Sequence, residues 1–126
     1  MNLTEISNIV HNLAKEKGWH EDQETELQYI QRCVANIHGE VSELWESVRN
    51  GKANEPSDKQ IWYEKSKSPD GQESYTYMTN IEEELADIII RSLDMAARLQ
   101  IDIHRAVACK HGYNKERPHR HGGKLA

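Results

Sequence analysis

Glu40-Val41-Ser42-Glu43 and Glu84-Leu85-Ala86-Asp87 each set two carboxylates three residues apart. On a helix that spacing stacks both acids on neighbouring turns of one face. Like charges so placed repel each other by roughly a few tenths of a kcal/mol, and one such pair is ordinary on a solvated surface. Two matching pairs mean more if their helices bring them together. Four converging carboxylates repel strongly unless cations sit among them, and all-oxygen donors suit a hard divalent ion, Mg²⁺ or Mn²⁺. A second set, Lys110, Asn114 and Arg117, falls at i, i+4, i+7 and can face one direction if its helix holds that far. Two cations and an amide suit a polyphosphate, although a basic helix end is also favoured by the helix dipole.

These residues need helices to position them, and the apolar periodicity supplies four. Ile6, Ile9, Val10 and Leu13 mark the first, which Gly18 should end. Leu27, Ile30, Val34, Ile37, Val41, Leu44 and Val48 mark a longer second, closed by Asn50-Gly51. Thr79 or Asn80 should cap a third, running Ile81, Leu85, Ile88, Ile89, Ser92, Met95, Ala96, Leu99. A fourth should start near Asp102 and end by about Lys115, ahead of Pro118. At about 100° per residue, Glu40 and Glu43 lie roughly 80° and 140° to one side of the second stripe. Glu84 and Asp87 lie roughly 60° and 120° to the same rotational side of the third. Antiparallel packing of the two helices then puts both acid pairs on one side of the contact, and parallel packing separates them.

The expected fold is all-α: an antiparallel bundle of about four helices forming one domain over residues 1–126. Residues 51–79 interrupt it as an inserted flap. Gln60-Ile61-Trp62-Tyr63 and Tyr75-Thr76-Tyr77 flank Ser68-Pro69-Asp70-Gly71, the pattern of a short two-stranded hairpin. Residues 117–126 read as an extended basic tail.

Composition narrows the function. Sixteen basic against 21 acidic residues give a formal charge of −5, which argues against a protein built to grip nucleic-acid phosphates. No apolar run approaches the roughly 20 residues of a membrane span, and the start, Met1-Asn2-Leu3-Thr4-Glu5, lacks the pattern of a signal peptide. Two cysteines without a paired motif fit idle thiols in a reducing cytoplasm, the expected location. With a mean hydropathy of −0.87 and no Phe, the stripes are thin, and self-association is the expected way to finish burying them. A di-iron bundle would want Glu-x-x-His on two helices. The one match, Glu116-Arg117-Pro118-His119, contains a proline, and His111, His119 and His121 read as tail residues.

At the acid pairs the sequence resembles the MazG-like all-α nucleoside triphosphate pyrophosphatases. The resemblance rests on Gly39-Glu40-Val41-Ser42-Glu43-Leu44, Glu83-Glu84-Leu85-Ala86-Asp87-Ile88, Lys17-Gly18-Trp19 and the run Lys110 to Pro118. It covers most of the chain outside residues 51–79, a stretch longer than compact members of that family show. It implies Mg²⁺-dependent cleavage of a nucleoside or deoxynucleoside triphosphate between the α and β phosphates, giving the monophosphate and pyrophosphate. It further implies Glu40, Glu43, Glu84 and Asp87 as metal ligands, Lys110, Asn114 and Arg117 as phosphate contacts, and a homodimer or dimer of dimers. Glu43 is the preferred acceptor of the attacking water's proton. Trp19, His38 and Trp45 are candidates to border the base, against structural roles for each. A different class of function, a non-catalytic helical module docking a basic partner on its acidic face, gives no reason for the Lys110, Asn114, Arg117 set.

Overall fold

The computed structural model of the chain describes residues 1–20, 23–58 and 78–118. They form four helices: α1 (Leu3–Glu16), α2 (Glu26–Arg49), α3 (Asn80–Arg98) and α4 (Ile103–Glu116). The class is all-α. Among the described residues there is no strand, only an isolated antiparallel bridge between Pro56 and Thr79. The expected hairpin over residues 60–77 lies outside the described residues. Among those residues no helix is long and apolar enough to cross a membrane.

The helix ends follow from local chemistry. The Asn2 side chain accepts the Glu5 N–H at 2.9 Å to start α1. Gly18, at φ 71°, ends it as the Trp19 N–H turns back to the Ala14 carbonyl. Thr25 and Gln28 form a reciprocal capping box on α2, and Gly51, at φ 70°, follows its last turn. Thr79 rather than Asn80 caps α3, its hydroxyl oxygen accepting the Glu82 N–H. Gln100 takes the left-handed conformation after α3, at φ 58°, where glycine is favoured. Asp102 caps α4 by accepting the Arg105 N–H.

The chain divides into two compact units, residues 1–22 with 93–126, and residues 23–92. In the first, the Thr4 hydroxyl donates to Asp102 and accepts the His104 N–H, tying the start of α1 to that of α4. Ser7 donates to the Leu93 carbonyl, and Ala14, Leu93 and Ala96 are buried. In the second, the chain leaving α2 is sewn to the start of α3. The Asn80 N–H donates to the Glu55 carbonyl and the Ile81 N–H to that of Ala53, both at 2.9 Å. Ser57 donates to the buried Glu83 carboxylate. With the end of α2 held at the start of α3 and Glu40 paired with Arg91 further along, α2 and α3 run antiparallel through this unit.

The inward faces differ from the expected apolar stripes. On α2 the buried residues are Tyr29, Cys33 and Glu40, while Val34, Val41, Trp45 and Val48 stay 42–58% exposed. On α3, Leu85, Ile89 and Ile90 are likewise open. The face of α2 turned to α3 carries Glu40, paired with Arg91, and not the centre of the apolar stripe.

Candidate metal centre

The acid pairs meet. α2 and α3 pass antiparallel through the second unit, and the rotational arithmetic then brings their flanks together. Glu40, Glu84 and Asp87 each offer a ligand oxygen, all within 4.8 Å of one another. Glu43, one turn beyond Glu40, joins them through a hydrogen bond between its carboxyl group and that of Glu84.

The electrostatics carry the mark of crowding. The Glu84 carboxyl is pushed up to about 7, by burial first, then by the hydrogen bond with Glu43 and repulsion from Glu43, Asp87 and Glu40. A hydrogen bond between two carboxyl groups needs one proton shared by the Glu43–Glu84 pair. Glu40 is 8% exposed; its Oε1 accepts from Arg91 Nε at 2.6 Å. Its Oε2 is buried with no hydrogen-bond partner, as is Oε2 of Glu84. Buried acceptors left unpaired cost about 1–3 kcal/mol each. A hard divalent cation would satisfy both and relieve the repulsion, so the residues present fit such an ion.

Arg91 was not singled out by the sequence pattern, although it lies four residues after Asp87 and seven after Glu84 on the same helical face. Glu83, beside the acid pair of α3, is buried against Ser57.

The phosphate candidates belong to the other unit. Lys110 and Asn114 lie on α4, but Arg117 does not continue that helix: it is the C-cap residue, with extended backbone at ψ 147°. Pro118 follows it and disfavours helical backbone at the residue before it. The i+7 register is therefore broken. Tyr113 compensates, with Lys110 Nζ 4.5 Å and Arg117 Cζ 5.6 Å from its ring centre. Trp19, just past the α1 turn, and Trp45 on α2 are each 58% exposed, and His38 is exposed. Cys33 and Cys109 are free thiols, the first buried and the second exposed.

Comparisons with protein-family models, with curated proteins and with solved structures find no match to this chain.

Proposed function

We propose that the chain is a Mg²⁺-dependent nucleoside triphosphate pyrophosphohydrolase, converting a nucleoside or deoxynucleoside triphosphate and water to the monophosphate and pyrophosphate. One observation carries the reading: four carboxylates from two antiparallel helices converge, and two of their oxygens are buried and unpaired. Glu40, Glu43, Glu84 and Asp87 would hold the metal. Bound there, magnesium neutralises triphosphate charge and makes a water more acidic.

The residues of the chain do the rest. Water adds to the α phosphorus, the bond from that phosphorus to the α–β bridging oxygen breaks, and pyrophosphate leaves with the electron pair. Glu43 would accept the water's proton, beside its hydrogen-bonded partner Glu84. Lys110, Asn114 and Arg117 stabilise the charge gathering on the leaving pyrophosphate. Trp19, His38 and Trp45 are the candidates to border the base. The open apolar residues of α2 and α3 support a bundle completed by a second copy of the chain, as a homodimer or dimer of dimers.

The test is a panel of ribonucleoside and deoxyribonucleoside triphosphates with Mg²⁺, scored for pyrophosphate against orthophosphate. Pyrophosphate from at least one of them is expected. A folded protein inert to the whole panel with both Mg²⁺ and Mn²⁺ overturns the proposal, and orthophosphate alone would move the cut to the γ phosphate. An acidic docking module would instead bind a basic partner in a salt-sensitive manner and leave nucleotides alone.

A further inference from the structure

A second group of side chains able to ligate a metal lies in the first unit, two of them near the start of the chain and the third more than 70 residues on. His11 comes from the third turn of α1, His20 from the chain just past Gly18, and Asp94 from α3. His11 Nδ1 lies 2.8 Å from Asp94 Oδ1, and His20 Nε2 lies 3.0 Å from the same oxygen. The three side chains are 13–17% exposed. One ligand atom from each lies within 4.8 Å of the others. The ring centres are 4.9 Å apart and the planes meet at 73°.

Those lengths match ligands on one ion. Neighbouring ligands of a six-coordinate ion at about 2.1 Å sit roughly 3.0 Å apart, against roughly 3.3 Å around tetrahedral zinc. An imidazole bound at about 2.1 Å has its centre about 3.2 Å from the ion, so two rings at 90–109° lie roughly 4.5–5.2 Å apart. The N···O lengths therefore fall on the six-coordinate side, while the ring separation lies between the six-coordinate and tetrahedral values and fits either. Two imidazoles and one carboxylate on one side of an ion, with the remaining positions open, are a recognised set for borderline first-row metals. All-oxygen sites take Mg²⁺ instead, so this group and the acidic cluster differ in the ion they select.

We propose that His11, His20 and Asp94 form a binding site for a six-coordinate divalent transition-metal ion, distinct from the acidic cluster. A bound ion would tie α1, the turn that follows it and α3 together across 83 residues of sequence. The role is a staple on the first unit, independent of the hydrolase reading.

The experiment adds Co²⁺ to the full chain in excess Mg²⁺, which occupies oxygen-donor sites, and follows the ring resonances of all seven histidines. Co²⁺ should shift and broaden His11 and His20 first, ahead of His38, His104, His111, His119 and His121. The melting temperature should rise by roughly 10 °C when Co²⁺ is about a hundredfold above its Kd. His11→Ala and His20→Ala should each weaken binding by more than the roughly 10–100-fold that loss of an outer-shell partner costs. Undiminished binding to the His11→Ala, His20→Ala double variant overturns the proposal. So do unmoved His11 and His20 resonances in the native protein, which would leave the group as a hydrogen-bonded triad alone. Should the double variant not fold, the native resonances decide.

Discussion

Arg91 Nε donates to Glu40 Oε1 at 2.6 Å, and the other oxygen of the same carboxylate is buried without a partner. Arg91 thus balances part of the charge that α2 and α3 bring together, and leaves one oxygen of Glu40 for a cation. Removing the guanidinium should expose the whole cost of burying Glu40. Arg91→Ala is expected to lower stability by about 1–3 kcal/mol without metal, below the roughly 3–5 kcal/mol of a fully buried pair because the arginine is half exposed. Millimolar Mg²⁺ should restore much of that loss. Urea unfolding with and without Mg²⁺ measures both; an equal loss in the two conditions would show that the cation does not reach Glu40.

The raised Glu84 carboxyl fixes a direction of pH dependence. Its folded value of about 7 exceeds the ordinary 4.5, so the folded state holds the proton more tightly than the unfolded chain. The stability this group contributes is therefore fully present below about pH 4.5 and is lost as pH rises through about 7. Unfolding free energies between pH 5 and 8 should show that decline in metal-free buffer and, under the proposed function, a shallower one with Mg²⁺, which would take the place of the proton. Glu84→Gln should remove the slope and make the metal-free protein more stable above pH 7, while abolishing hydrolysis. A slope unchanged in the variant would assign the pH dependence elsewhere.

How far the sequence alone reaches is clearest in α2 and α3. The meeting of Glu40, Glu43, Glu84 and Asp87 was legible because it needs only helical period and an antiparallel sense. The helix ends marked by Gly18, Asn50-Gly51, Thr79 and Asp102 were legible, because capping is local chemistry, whereas the Thr25–Gln28 capping box of α2 was not singled out. The buried face of α2 was not. Periodicity marks a stripe as apolar, but whether it is covered depends on what lies across from it, and Val41 and Val48 have too little there. The helical alignment of Arg117 with Lys110 and Asn114 was conditional on α4 reaching it, and α4 ends one residue short. The group of His11, His20 and Asp94 had no signature at all, being spread over 83 residues and three segments.

Gln100 offers a test of the backbone alone. It closes α3 at φ 58°, with the Ile101 N–H donating to the Ala96 carbonyl, a geometry that costs a residue with a Cβ about 1 kcal/mol. Gln100→Gly relieves that strain but loosens the unfolded chain, so a net gain of about 0.5 kcal/mol is expected. Gln100→Val should lose more than 1 kcal/mol, since a β-branched side chain tolerates positive φ poorly. Chemical denaturation that ranks valine level with glycine would count against this conformation.

Removal of single carboxylates separates the proposed roles within the cluster. Glu43 is exposed, whereas Glu40 is buried and paired. Glu43→Ala should leave the melting temperature within a few degrees of the parent and cut turnover by about 10²–10⁴-fold, the usual worth of a positioned base. Asp87→Ala should abolish Mg²⁺-dependent turnover and weaken the stabilisation that Mg²⁺ confers. Glu43→Ala retaining full activity would move the base to another residue while leaving the cluster intact.

The ring of Tyr113 is shared by Lys110 Nζ at 4.5 Å and Arg117 Cζ at 5.6 Å. Two like charges on one exposed ring repel each other, and each gains only about 0.5–1 kcal/mol from the ring face. The arrangement is useful if an anion binds between them, because Arg117 lies beyond the end of α4 and needs something to hold it beside Lys110. Under the proposed function, Tyr113→Leu should raise KM for the nucleotide by about 2–5-fold for each cation released from the ring, with kcat falling less. Tyr113→Phe keeps the ring and should behave as the parent protein does, which separates the aromatic face from the hydroxyl. Because α4 has no buried residue, neither change should move the melting temperature by more than a few degrees. A KM that stays put in the leucine variant would detach Lys110 and Arg117 from phosphate binding and leave the acidic cluster to act without them.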